Sequence, residues 1–404
     1  MELLIEARRQ AGGMEADRPM GCKIVYLAHD LSDPAVARRI RMLVAGGATV
    51  QPIGFRRSNI VPQLPCEAPP IDLGRTSDGK LGQRIISVLQ ALLSADRYAK
   101  AFEQADAVIA RNLEMLTIAS KARSRYVPSA RLIYECLDIH GRLLSRDVSG
   151  TFLRALETRL WRRVDLLLTS SPAFIAKYFE PRGFPAPIRL VENKLALLDG
   201  TEHEASPRPP PGPPWRIGWF GSIRCRESLD ILNGLATTFG GRVEIVIRGR
   251  PSEATFPDFA RDIEDLPHVH YGGPYRNPDD LSLIYGGVHF NWAVDYYESG
   301  QNSAWLLPNR LYEGTYYGAV PIALAGVATG EWLATRGLGV VLNEPMQQSL
   351  ADFFASLDND GYDKLVRDVQ SVPRARFVSD RADCQDLVQS LCRPRAEPSG
   401  VPLS

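Results

Sequence analysis

Five of the seven residues in the stretch RPPPGPP, Arg208 to Pro214, are proline. Each proline removes a backbone donor and fixes φ, so neither a helix nor a central strand can pass through it. With GTEHEAS ahead of it, the segment 200–214 reads as a semi-rigid extended connector. It falls near the middle of a 404-residue chain, a length at which a single hydrophobic core has stopped growing. Two domains are therefore expected, over residues 21–199 and 215–374. Residues 1–20 lack the apolar run of a secretory signal and are expected to be a disordered tail. Residues 375–404 are expected to form a helix and tail that pack back on the first domain.

Each half opens the same way. KIVYLAHD, an apolar run of strand length, leads into SDPAVARRIRMLVAGG, where Asp33 suits the N-cap and Pro34 the first helical position. Val36, Ile40 and Leu43 recur at helical spacing, Gly46 and Gly47 end the helix, and TVQPIGF resumes as a strand. In the second half WRIGWFGS, RESLDILNGLATTFG and VEIVIRG repeat this βαβ order. Further strand-sized runs are DAVIAR, RLIYECLD, DLLLTSS and IRLVEN, then HVHYGG, VHFNWAV, AVPIALA and LGVVL. Strands alternating with helices predict an α/β chain with two doubly wound parallel sheets. Ligands of such sheets bind in the crevice outside the carboxyl ends of the strands.

The formal charge is zero, but it is unevenly spread. Residues 21–200 carry 26 Lys/Arg against 17 Asp/Glu, a net of +9, while residues 215–404 carry 17 against 24, a net of −7. The first half therefore suits an anionic partner. The chain is not basic overall and lacks interleaved Arg and aromatic residues, which weighs against nucleic acid. Six cysteines without a C-x-x-C predict reduced thiols in a cytosolic setting. The longest weakly polar stretch, GAVPIALAGVATG, falls short of the roughly 20 apolar residues a bilayer span takes, so a soluble or peripheral protein is expected.

Several common chemistries have no motif here. No G-x-G-x-x-G follows the first strand of either half, and neither G-x-x-x-x-G-K-[ST] nor G-x-S-x-G occurs. His268 and His270 lack a third ligand nearby, and Asp358 with Asp360 sits in a polar Asn-Asp-Gly turn, so neither pair is read as a metal site. What remains lies at strand-to-helix turns of the second half. WFGSIRCRES places Gly221 and Ser222 at a strand end with Arg224 and Arg226 beyond, where backbone amides, a helix N-terminus and guanidinium groups could hold a diphosphate. The same residues also fit a plain turn with solvated arginines. In LLPNRLYEGTYYGAVPIA, Asn309 reads as a cap, with Arg310 in the first helical turn and Glu313 one turn in. Leu311, Tyr312, Tyr316 and Tyr317 around Glu313 predict a covered helix, and a covered carboxylate needs a partner such as a vicinal diol. An exposed Arg310–Glu313 pair is the other reading.

The segment P-N-R-L-Y-E-G-x-x-x-G-A-V-P-I-A resembles the P-x-K-x-x-E signature of GT-B glycosyltransferases, especially the retaining group numbered family four and the succinoglycan-type exopolysaccharide enzymes of bacteria. DAVIARNLEML, LIYECLDIHG and ETRLWRRVDLLLTSSPAF resemble further segments of that layout, across most of residues 23–345. The resemblance implies a GT-B architecture, two Rossmann-like domains facing a central cleft, with the acceptor half first and the nucleotide-sugar half second. It also implies that Glu313 binds the ribose of a nucleotide-sugar, UDP-linked, and that Gly221, Ser222, Arg224, Arg226 and Arg310 hold its diphosphate without a metal. Three positions depart from the pattern, the first being Arg310 where the signature has Lys. Trp305 stands where the retaining group often has a second Glu, and Arg226-Glu227 replaces a Lys-Gly, which leaves the stereochemical course open.

In the first half, Asp138 and His140 of ECLDIHGR are the catalytic candidates. Asp138 would act as general base if the reaction inverts, and His140 would bond the donor if it retains; Asp138 could instead cap a helix. His29 and Asp30 are expected to face the same cleft, Asp33 to be a cap only, and Asp295 and Glu298 to reach sugar hydroxyls. TFLRALETRLWRRVD carries Leu153, Leu156 and Leu160 on one stripe, with basic residues and an exposed Trp161 around it, a pattern that fits a membrane surface as well as an ordinary helix. The expected acceptor is a saccharide on a polyprenyl diphosphate, met at the cytoplasmic face of the inner membrane. A UDP-sugar 2-epimerase and a catalytically silent scaffold of the same architecture are the alternatives.

Overall fold

The computed structural model describes residues 21–76, 81–198 and 206–393. The expected tail 1–20, the first part of the connector and the last eleven residues lie outside them. The first lobe is built on a seven-stranded sheet with order β3-β2-β1-β4-β5-β6-β7. Its strands are β1 (Lys23–Ala28), β2 (Thr49–Arg56), β3 (Ile71–Arg75), β4 (Ala107–Arg111), β5 (Arg131–Cys136), β6 (Leu166–Thr169) and β7 (Ile188–Leu190). All pair in parallel. After a two-residue strand β8 (Leu195–Ala196), the second lobe has a six-stranded parallel sheet of order β11-β10-β9-β12-β13-β14. These strands are β9 (Trp215–Ile223), β10 (Val243–Pro251), β11 (Val269–Tyr271), β12 (Phe290–Trp292), β13 (Val320–Leu324) and β14 (Val340–Leu342). Every apolar run named above forms one of these strands, as the alternating pattern predicts.

Helices cover both faces of each sheet. On the first lobe, α1 (Pro34–Ala45) lies on one face, while α2 (Leu81–Leu93), α3 (Asn112–Tyr126) and α4 (Val148–Trp161) lie on the other. Asp33 caps α1 through Ala35 N–H, and Val36, Ile40 and Leu43 are fully buried, the stripe the spacing predicts. In the second lobe α5 (Arg226–Thr238) follows β9 and α6 (Asn309–Tyr316) precedes β13. The strand order reverses between β1 and β4 in one sheet and between β9 and β12 in the other. Gly221 and Ser222 lie at the end of β9, beside one of these crevices, and Asp138 and His140 follow β5, one strand beyond the other crevice.

Three expectations need correction. Val191 belongs to the first-lobe core; beyond 192–194, where the chain starts to cross, Leu195 and Leu197 join the second-lobe core while Ala196 and Leu198 still pack on the first, so the passage between the lobes lies ahead of the proline-rich stretch. Residues 206–214 lie along the second lobe, where Ser206 N–H donates to Ser282 Oγ (3.0 Å) and the Pro210 carbonyl meets His289 Nε2 (3.0 Å). The last helix, α7 (Arg381–Cys392), buries Cys384, Leu387, Val388 and Leu391 in the first-lobe core beside α1. It begins with a reciprocal cap between Asp380 and Asp383. Its return brings Cys392 to Cys22, and the two form a disulfide, so the expectation of six reduced thiols does not hold. Trp161, expected on the surface, is 1% exposed, under the Arg182 guanidinium.

Candidate functional site between the lobes

In the second lobe the site is built on the ends of β9 and β10. Gly221 has φ of +113° and Gly249, opposite it in register, has φ of +140°. A Cβ on Gly249 would lie 1.8 Å from the Gly221 carbonyl oxygen, so the close approach of these two backbones requires glycine. Ser222 is exposed beside it. A Cβ on Gly221 would sit 4.0 Å from the Tyr275 hydroxyl, which places Tyr275 over this strand end. Arg248 holds the same loop by donating to the carbonyls of Gly273 and Pro274.

Glu313 is 4% exposed. Its carboxylate accepts from Asn277 Nδ2 (2.9 Å) and Tyr285 Oη (3.1 Å). Burial raises its pKa, against the pull of these two donors and of Arg38 and Arg310. The helix that carries it starts one residue earlier than expected: Pro308 is the cap and Asn309 the first helical residue, without a side-chain cap bond. Arg310 does not pair with Glu313. It donates to the Val294 carbonyl (2.8 Å) and lies 4.0 Å from Asp295, while its Nε is buried without a partner. Arg224 bonds Asp295 at 3.2 Å and stacks on Tyr297. Burial works to raise the Asp295 carboxyl, yet Arg310 and Arg224 hold it below the usual range. Arg226 is turned away: it pairs with Asp262 (3.0 Å) and stacks on Phe256, outside this group.

The first lobe meets this group at the end of β5. Asn302, buried in the loop after β12, donates from Nδ2 to Asp138 Oδ1 (2.9 Å) and accepts the Ile139 N–H at Oδ1 (3.1 Å). Both Asp138 and His140 are exposed. His140, rather than Asp138, caps the single helical turn Gly141–Leu144, through Nδ1 and the Arg142 N–H. A Cβ on Gly141 would come 3.2 Å from Gln301 Oε1 and 3.9 Å from Glu298 Oε1, so residues 138–141 and 298–302 face each other. Burial and the neighbouring Asp138 charge raise the Glu298 pKa, with Arg224 and His140 acting against them. Asp138, His140, Arg224, Asp295 and Glu298 are thus one constellation.

Other candidates divide. His29 meets Asn112, a non-glycine residue with φ of +71° at the end of β4. Burial lowers the His29 pKa, with the Arg111 charge adding to it. Asp30 turns instead into its own loop and accepts from Ser32 N–H and Arg57 N–H. Asp33 is more than a cap, since Arg111 pairs with it at 3.1 Å. Asp358 caps the helix that follows it. Among the described residues no group of His, Cys, Asp and Glu could hold a metal ion, and no helix is long and apolar enough to cross a membrane. Sequence reasoning missed Tyr275, Asn277, Tyr285, Arg38 and Asn302. Their signal was weak because each reaches its partner from a segment distant in sequence, Arg38 from α1 and Tyr285 from a short helix; Asn302 touches Asp138 across 164 residues. A groove of about 1220 Å³ near the crossover, lined by Lys177, Glu192, Lys194, Trp332 and Arg336, contains none of the predicted residues.

No protein-family model matches the chain. It is 46% identical over 387 residues to the succinoglycan biosynthesis protein ExoL of Rhizobium meliloti (strain 1021), an alignment covering 94% of this chain and 96% of that protein. Among solved structures it resembles Anabaena HepE in complex with UDP and glucose, with TM-score 0.64 and 14% identity over 91% of this chain and 98% of that one. It also resembles sucrose-phosphate synthase of Thermosynechococcus elongatus, with TM-score 0.68 and 12% identity over 91% and 98% of the two chains. At these identities the likeness concerns the fold, which is GT-B.

Proposed function

The chain belongs to the family of the succinoglycan biosynthesis protein ExoL, and from that premise we propose that it is a glycosyltransferase of exopolysaccharide assembly that uses a UDP-sugar. One observation carries this reading. A carboxylate on α6, Glu313, is buried beside Gly221, Tyr275 and Arg310 at the switch point of the second sheet, held by two neutral donors. A buried carboxylate of raised pKa costs folding stability, and a ligand diol that donates to it would offset that cost. Arg310, with its unpartnered Nε, and Arg224 are suited to the diphosphate, and the exposed backbone at Gly221 and Ser222 to its close approach.

The rest follows from the facing constellation. Asp138, oriented by Asn302, takes the proton of the acceptor hydroxyl as its oxygen bonds the anomeric carbon. The bond from that carbon to the diphosphate oxygen breaks, and UDP leaves with the electron pair, its charge met by the arginines. His140, Glu298 and Asp295 are placed to bond sugar hydroxyls. The acceptor is a saccharide on a polyprenyl diphosphate, and the basic first lobe, net +9, meets the cytoplasmic membrane surface that holds it.

The test is thermal shift with a panel of nucleotides and nucleotide-sugars, since a ligand bound only by the native state raises apparent stability. UDP and one UDP-sugar should raise the melting temperature; absence of any uridine effect would sink the donor assignment. Transfer to a lipid-linked acceptor, lost in Asp138→Asn, separates this activity from donor isomerisation and from a silent scaffold.

A further inference from the structure

α2 buries one side and leaves the other bare. Ala91 is buried in the first-lobe core, with Val88 and Leu92 packed on it. On the opposite side Ile85, Ile86, Leu89 and Leu93 are between 50% and 83% exposed. Their spacing, i, i+1, i+4 and i+8, makes a single stripe. A soluble helix keeps polar residues there. α4, on the same helical layer and separated from α2 by α3, exposes Val148 at 87% and Phe152 at 69%, one turn apart. The face continues through Ala155 to Arg159 and Arg162, both exposed. Apolar side chains that stand so far out of two helices of one layer, on either side of α3, are of the kind that marks an interaction surface.

The charge around the patch selects the partner. Lys100, Lys121, Arg125, Arg146, Arg159 and Arg162 are all exposed on this layer or the turns that join it. Of the acidic groups on the same elements, Asp96 pairs with Arg125, Asp147 caps α4 and Glu114 pairs with Arg84. Glu103 is exposed after the turn that carries Lys100, and the cations Lys100, Lys121, Arg146, Arg159 and Arg162 outnumber it. We propose that this face, the α2 stripe with Val148 and Phe152 of α4, docks on an anionic lipid bilayer. Protruding aliphatic and aromatic side chains enter the acyl boundary while the arginines and lysines meet the headgroups. This identifies the membrane partner of the proposed transferase by a surface other than the Trp161 face of the sequence reading, since Trp161 is buried.

The placement fits the site. The Arg84–Glu114 pair ties the first turn of α2 to the start of α3, at the carboxyl end of β4. Val148 opens α4 ten residues after Asp138. The α2 stripe starts at this end of the sheet with Ile85 and Ile86 and runs along α3 to Leu93, where Lys121 Nζ meets the Leu92 carbonyl, while the first turns of α4 are tied to the turn after His140 by Arg154 and the Leu143 carbonyl. Docking through Ile85, Ile86, Val148 and Phe152 therefore brings the catalytic end near the lipid surface. The docking surface is separate from the donor residues, and this separation makes the two readings testable apart.

The experiment is co-sedimentation of the full chain with vesicles of phosphatidylcholine alone and of phosphatidylcholine with phosphatidylglycerol. The wild type should sediment with the anionic vesicles, release as salt rises, and stay in the supernatant with the neutral ones. The double variant Leu89→Glu, Phe152→Glu should lose binding, and Arg159→Glu, Arg162→Glu should weaken it by roughly tenfold or more, in line with the contribution of each surface cation. Both variants should keep the wild-type thermal shift with UDP, whichever way the donor assignment turns out. The proposal is overturned if the wild type ignores anionic vesicles, if the apolar variant binds as well as the wild type, or if neutral vesicles bind equally. It is likewise overturned if the wild type is a dimer without lipid and Leu89→Glu, Phe152→Glu makes it a monomer, because a second copy then covers the face.

Discussion

Glu313 is the residue at which stability and function pull apart. In an unfolded chain its carboxyl ionises near its ordinary value of 4.5, and in the folded state burial raises that value. The folded state therefore binds the proton more tightly, so this group costs stability once pH rises above 4.5, and the cost is complete above its raised folded pKa. Glu313→Gln keeps the shape and removes the charge. Melting temperatures across pH should show the variant at least as stable as the wild type at neutral pH, with the difference vanishing below 4.5. The same variant should bind UDP roughly ten- to a hundredfold more weakly by calorimetry, the worth of about 1.5–3 kcal/mol for hydrogen bonds to a charged group. A variant less stable at neutral pH, with UDP affinity intact, would make Glu313 a structural residue only.

At the scale of elements, the ends of β9 and β10 depend on two glycines in contact. Gly249→Ala adds a Cβ where the Gly221 carbonyl already lies, in a backbone conformation that side chains rarely adopt. It should cost about 3 kcal/mol in denaturant unfolding and weaken UDP binding, since the displaced strand end is the one proposed to meet the diphosphate. The connector has its own signature. His289 accepts the Arg216 N–H at Nδ1 (3.0 Å) and meets the Pro210 carbonyl with Nε2, so it is neutral there, and burial lowers its pKa from 6.5. A lowered folded value means that the unfolded chain takes the proton first. Its contribution is therefore intact above pH 6.5 and is lost as pH falls through the folded value, a slope that His289→Asn should flatten. The strands were legible in sequence because each is a continuous apolar run between turn residues, and KIVYLA and VEIVIR could hardly be anything else. β3 was missed because IDLGR is short, half-exposed and broken by glycine. In the site, Glu313 could be picked out by the aromatic residues around it. Its partners could not, since Asn277 and Tyr285 lie 36 and 28 residues away in segments without a motif. Arg226 was misplaced for the converse reason: its position after β9 is local, but Asp262 decides where its side chain points.

For the whole molecule the question is what holds the two lobes in the arrangement that assembles the site. The crossover at 192–194 is reinforced from both sides. Asn193 Nδ2 donates to the Leu307 carbonyl and Tyr312 Oη to Glu192, while Leu306, from the second half, is buried in the first-lobe core. α7 then carries the chain back, and its ties to the first lobe, Arg189 to Asp386 and Arg131 to the Ser390 carbonyl, belong to the first sheet. With so many contacts at the crossover, the Asn302 bonds to Asp138 and Ile139 are not needed to keep the lobes together. They have a narrower effect, which is to aim the Asp138 carboxylate into the gap. Asn302→Ala should therefore leave the melting temperature close to that of the wild type and UDP affinity unchanged, and lower the transfer rate at saturating donor and acceptor. Loss of one orienting hydrogen bond to a charged group is worth about 1.5–3 kcal/mol, so the rate should fall roughly ten- to a hundredfold. If UDP affinity falls in step with the rate, Asn302 sets the angle between the lobes rather than the position of the base. A rate equal to that of the wild type would remove Asp138 from the reaction altogether, because a base whose orientation is indifferent is not the base.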